Sequence, residues 1–137
     1  MPPNEKRREK LPDGLVRLVS NDTRQIVATK SMKAAYDLIK RKKPQCSGTL
    51  KVTFSRWLDG FNLTPNQFKA EGTHKIGGKS VSLYAMKAKE VRFYGAELVI
   101  GGVLSFVLTE VELNKQKNKA DPQKLKNAVK RLFPFIA

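Results

Sequence analysis

Residues 83–131 confine the fold more than any other part of the chain. They hold three runs rich in β-branched and aromatic residues, LYAMKAK, EVRFYG and GGVLSFVLTEVEL, and such runs read as strands. A polar loop, NKQKNKADP, follows, and then QKLKNAVKRL. In that last stretch Leu125, Ala128, Val129 and Leu132 share one face while Lys124, Lys126, Lys130 and Arg131 lie elsewhere, the pattern of an amphipathic helix. The strands present Lys87, Lys89 and Arg92, and the loop has a lysine at every second place, Lys115, Lys117 and Lys119. Cationic side chains on a sheet beside a cationic loop form a surface suited to phosphate.

Upstream, residues 1–13 read as a flexible basic arm and residues 14–137 as one domain. LVRLVS and RQIVAT predict two short strands joined by a tight turn at NDT. Ser31 is the expected N-cap of a helix in which Ala34, Ala35, Leu38 and Ile39 recur at helical spacing, ending before Pro44. After a loop at PQCSG, the spacing of Leu50, Phe54, Trp57 and Leu58 predicts a second helix stopped by Gly60. Thr64 and Pro65 suggest the opening of a short helix through PNQFKA. Beyond His74 the pattern is mainly strand until the final helix. The whole reads as an α+β domain.

Lysine and arginine number 27 against 12 acidic residues, a formal net charge of +15. That excess is clustered rather than evenly spread, and it favours a polyanion such as nucleic acid. Cys46 is the only cysteine, which excludes a disulfide scaffold within the chain and suits a reducing, cytoplasmic compartment. No apolar run has the length to span a bilayer and no secretory leader pattern opens the chain, so a membrane partner is not expected.

One histidine and one cysteine, far apart, leave no ligand set for a metal and no ordinary nucleophile–base pair. The segment THKIGGKS resembles a nucleotide-binding phosphate loop, but Thr73 stands where the first glycine is required and a strand follows instead of a helix. Gly77 and Gly78 read as a hairpin turn. What remains is chemistry that lysine, arginine and tyrosine perform without a cofactor. RNA carries its own nucleophile, the 2′-OH, so a protein need only align it, move its proton and neutralise the phosphate. Arginine offers a planar fork for that phosphate, and crowded lysines have depressed pKa values that fit them for proton transfer.

From about His74 to Leu132 the chain resembles the RelE/HigB/ParE toxin superfamily, within it the phage-derived, HigB-like branch. The resemblance rests on IGGKSVSLYAMKAK, VRFYG, VLSFVLTEVEL, NKQKNKADP and LKNAVKRL in that order and spacing. It implies a RelE-like domain: a small twisted antiparallel sheet, N-terminal helices packed on one face and a C-terminal basic helix. It also implies a metal-independent endoribonuclease that cuts mRNA on the ribosome, with an antitoxin protein as partner. Lys87, Arg92 and Lys119 then match the family's catalytic cations, with Tyr94 as a further candidate for acid or stacking work. Lys89, Lys115, Lys117, Lys124, Lys130 and Arg131 would hold the nucleic acid. The alternative is a non-catalytic protein of the same fold that binds nucleic acid or inhibits a protein such as gyrase. Ala85 stands where the family has a glutamate, and Glu110 and Glu112 replace its His-x-Phe. Carboxylates beside a phosphate site oppose its ligand unless they point away, so the direction of Glu110 and Glu112 is critical.

Overall fold

A computed structural model describes residues 11–113 and 119–136. Strands β1 (Leu15–Ser20) and β2 (Arg24–Thr29) form a hairpin, followed by helices α1 (Lys30–Lys42) and α2 (Pro44–Leu58). Then come β3 (Phe68–Ile76), β4 (Lys79–Ala88), β5 (Val91–Ile100), β6 (Val103–Glu112) and helix α3 (Pro122–Ile136). The architecture is α+β, as expected. One open sheet has the order β1-β2-β6-β5-β4-β3. It is mixed rather than antiparallel, because β2 and β6 run parallel. The two helices after β2 carry the chain to the far edge, and the meander β3-β4-β5-β6 works back until β6 lies beside β2. Parallel neighbours need a long crossover of this kind.

The hairpin turn between β1 and β2 is built by Asn21, whose Oδ1 accepts from the backbone N–H of Thr23 at 3.0 Å and of Arg24 at 2.8 Å. Its Nδ2 also donates to the Leu58 carbonyl at 2.7 Å, satisfying an acceptor that the end of α2 leaves open. Thr29, not Ser31, caps α1, its hydroxyl accepting from the Met32 N–H. The helix begins directly out of β2, so the cap falls on the last strand residue. Pro44 opens α2 instead of a loop: its missing N–H is no loss in a first turn. The expected helix at PNQFKA is a single turn closed by Gln67 and Phe68 N–H groups on the Thr64 carbonyl. From Phe68 the chain is strand, because Phe68 stacks on Tyr84 of β4 with ring centroids 4.6 Å apart. A tertiary aromatic contact outweighs a weak helix start.

The sheet buries both faces. On one, α1 and α2 pack Met32, Tyr36, Ile39, Leu50, Phe54 and Trp57 against Ile26, Phe93 and Phe106. On the other, Ala128, Val129 and Leu132 of α3 meet Val27, Leu83, Ala85, Tyr94 and Val107. β6 sits inside the sheet and is buried along nearly all its length, as its continuous apolar reading suits. Among the described residues no helix is long and apolar enough to cross a membrane.

One irregularity in β6 positions everything that follows. Gly95 pairs with Leu108 and Tyr94 with Glu110, leaving Thr109 as an extra residue, a β-bulge. Regular alternation from Leu108 would place Glu110 opposite Phe93, among the aromatic rings under α1 and α2. The bulge delays the phase by one residue. Val111 takes the place opposite Phe93, and Glu110 and Glu112 turn to the α3 face. Gly95 is required beside it: a Cβ there would lie 2.0 Å from the Val107 carbonyl oxygen.

Candidate functional site

The face turned toward α3 gathers several of the expected residues. Lys87 and Arg92 are direct cross-strand partners near the β4–β5 turn. Arg92 pairs in turn with Glu112, and Tyr94 lies two residues along on the same face. Lys87 is half-buried, Arg92 is 5% exposed, and Tyr94 is fully buried. The hydroxyl of Tyr94 donates to Glu112 Oε1 at 2.6 Å, and the same oxygen accepts from the Asp121 N–H at 3.2 Å.

Two further charges join from the edge strand β3. Glu71 Oε2 stands 4.0 Å from Arg92 Nη1, both side chains buried, and Lys69 lies close enough to act on Lys87 electrostatically. The sequence pattern, with a helix expected through PNQFKA and strand only beyond His74, points to neither; the structure runs β3 through both. Read as strand, FKAEG alternates and puts Lys69 and Glu71 on one face.

The electrostatics follow from this crowding. Burial holds the Lys87 ammonium below the usual lysine range, Arg92 and Lys69 push it lower, and Glu71 opposes them. Tyr94 is pushed up: burial disfavours its phenolate, and the hydrogen bond to the Glu112 carboxylate holds the proton on oxygen. The cluster thus contains a lysine disposed to release a proton, an arginine beside it and a tyrosine that keeps its own.

Glu110 does not face the arginine cluster alone. Its side chain is 5% exposed and is met by Arg131 at 3.2 Å, Lys124 at 3.9 Å and Asn127 Nδ2 at 3.1 Å, all from α3. Arg131 and Asn127 meet Oε2, while Oε1, the oxygen nearer Lys124, accepts from the Val111 N–H at 2.9 Å. Thr109 adds a hydroxyl bond to the Ala128 carbonyl at 2.9 Å. Each Glu110 ion pair joins a buried carboxylate to a cation that is partly in solvent, which weakens the attraction; burying a side chain such as Leu132 contributes roughly 1.5–3 kcal/mol. Apolar contact therefore supplies most of the hold on α3, and Glu110 fixes its position.

The remaining candidates are scattered. Lys124 and Arg131 are committed to Glu110. Lys130 and Lys119 are exposed, and Lys115 and Lys117 lie outside the described residues. Lys89, at φ +55° in the β4–β5 turn, bonds Gln45 of α2 at 2.6 Å and so joins the helix end, away from Arg92. Cys46 is buried, and its thiol is pushed up by burial and by Glu90, which opposes use as a nucleophile. Gly77 and Gly78 form the β3–β4 turn, with strand on both sides of what resembled a phosphate loop.

Chemically, the arrangement can take up and return a proton at Lys87 while Arg92 supplies fixed positive charge beneath it. No protein-family model, curated protein or solved structure matches this chain.

Proposed function

We propose that the protein is a toxin of the type II toxin–antitoxin kind, an endoribonuclease that cleaves mRNA on the ribosome without a metal ion and is restrained by a cognate antitoxin in the cytoplasm. In this reading the mixed sheet, with α1 and α2 on one face and α3 on the other, is a RelE-like layout extended by β1. The observation that carries it is the Lys87–Arg92 cross-strand pair. A lysine held below its usual range has a larger neutral fraction near pH 7 and so can take the 2′-OH proton, and a neighbouring arginine offsets charge that develops on the phosphate. Tyr94, which keeps its proton against Glu112, is disposed to orient and not to ionise. Lys119, exposed beyond β6, would complete the site from the loop.

A second reading, a non-catalytic protein of this fold that binds nucleic acid, is favoured by one specific observation. Arg92 is almost wholly buried with Glu71 beside it, so a phosphate reaches the guanidinium only if that carboxylate gives way. Inducible expression scored for growth arrest and messenger cleavage separates the two. The nuclease loses cleavage in Lys87→Ala and in the Arg92→Ala, Lys119→Ala double variant, with circular dichroism confirming the fold of each. Retained cleavage in the double variant removes the catalytic reading. A small acidic protein encoded next to this one, able to suppress the arrest, would identify the antitoxin.

A further inference from the structure

β3 and α3 diverge along a groove of about 560 Å3 that the Arg92 cluster does not include. Lys126 and Lys130 line it from α3 with Gln123 and Asn127, and His74 from β3; Lys75, also on its rim, alternates with His74 and Ile76 and so directs its side chain to the other face of the sheet. No carboxylate lines it among the described residues, in contrast to the Arg92 cluster, where Glu71 and Glu112 stand among the cations. Both α3 lysines are exposed.

An aromatic ring continues this line. Lys126, Lys130 and Phe133 fall at i, i+4 and i+7 of α3, one stripe of a helix. Phe133 is 50% exposed and rests on the β3–β4 turn, where a Cβ on Gly77 would lie 2.5 Å from its ring. The turn is glycine so that this ring can lie against it. The groove also leads to the cluster: His74 bonds through its ring nitrogen to the Glu71 carbonyl at 3.0 Å, and the Glu71 carboxylate reaches Arg92.

We propose that this groove binds the backbone of single-stranded RNA, its phosphates on Lys126 and Lys130 and one base stacked on Phe133. The proposal rests on the action on RNA argued above and adds where the strand lies. A carboxylate-free cationic groove ending in an aromatic platform is the chemistry that holds single strands. A paired base already has neighbours on both faces, whereas an unpaired one is free to stack on the ring.

The test is equilibrium binding, by fluorescence anisotropy over a range of KCl, of a fluorescein-labelled 2′-O-methyl RNA oligonucleotide, single-stranded or annealed to its complement. Blocking the 2′-OH removes the nucleophile, so binding is read without cleavage. The full chain is compared with a Lys126→Gln, Lys130→Gln variant and with Phe133→Ala, urea midpoints reporting that each folds. Neutralising two lysines is expected to reduce the log–log salt slope by about 1.4 on the single strand. Phe133→Ala is expected to weaken single-strand binding at least about fivefold, with the duplex unaffected. An unchanged slope, or equal loss on single strand and duplex from Phe133→Ala, overturns the proposal. A chain that shows these losses but cleaves no messenger keeps the groove and refutes the nuclease. One that cleaves messenger with an unchanged slope in the groove-lysine variant keeps the nuclease and refutes the groove.

Discussion

Glu110 of β6 and Arg131 of α3 stand 3.2 Å apart, the carboxylate buried and the guanidinium half in solvent. The pair ties the C-terminal helix to the strand that carries the bulge. A buried carboxylate with several donors is there for position more than for charge, which sets up a contrast between two substitutions.

Glu110→Gln keeps a single oxygen, which serves the Val111 N–H or Asn127 but not both as the two carboxylate oxygens do, so it costs about 1 kcal/mol. Glu110→Ala leaves those donors without an acceptor and costs about 1–3 kcal/mol. Urea midpoints at a constant m value measure both. Equal losses would mean that charge, not hydrogen bonding, holds α3.

Gly95 admits no side chain. A methyl group would occupy the space of the Val107 carbonyl oxygen, and backbone in the middle of a sheet cannot yield cheaply. Gly95→Ala is expected to destabilise by about 3 kcal/mol or more, visible as loss of the cooperative thermal transition near the wild-type temperature. A variant within 1 °C of wild type, roughly the scatter allowed by a negligible energy change, would show that the bulge is mobile.

Lys87 makes stability depend on pH with a definite sign. Its folded form holds the proton less tightly than the unfolded chain, so across the interval below the usual lysine value, about 10.4, the unfolded state binds more protons. Stability therefore rises with pH through that interval. Lys87→Met should remove this rise and stabilise the fold at neutral pH. Denaturant titrations between about pH 7 and 10 read the slope; a variant with the wild-type slope would sink the assignment.

Tyr94 acts in the opposite sense. The folded state keeps a proton that the unfolded tyrosine loses near pH 10, so its contribution is present below that pH and is lost as pH rises beyond it. In the folded protein, Tyr94→Phe should leave the alkaline absorbance titration unchanged up to the pH of unfolding. It should also cost about 1.5–3 kcal/mol at neutral pH by removing a donor from the Glu112 carboxylate. A missing tyrosinate step in the variant would place the hydroxyl in contact with water.

Much of this was legible in the residues. The β1–β2 hairpin, both N-terminal helices, the Gly77–Gly78 turn and the buried face of α3 follow local patterns of spacing and turn chemistry. Lys87 and Arg92 could be joined because a two-residue turn separates their strands, which fixes the register. Three features were not legible, each set by distant parts of the chain. The parallel β2–β6 pairing depends on how a crossover closes. Strand β3 depends on Phe68 finding Tyr84 and Phe106, and with it came Lys69 and Glu71. The bulge at Thr109 has no local signature in LTEVE, although the physical cost of Glu110 in an aromatic core is what makes it necessary.

That single extra residue divides β6 into two lengths answering to different neighbours. Before it, Phe106 and Leu108 face the aromatic core and tolerate change only as volume is conserved. After it, Glu110 and Glu112 face cations and a phenol, and tolerate change only as charge and hydrogen bonding are conserved. An insertion or deletion close to Thr109 would exchange these two sets of neighbours, so strand length at this point is as tightly constrained as the identity of any side chain in it.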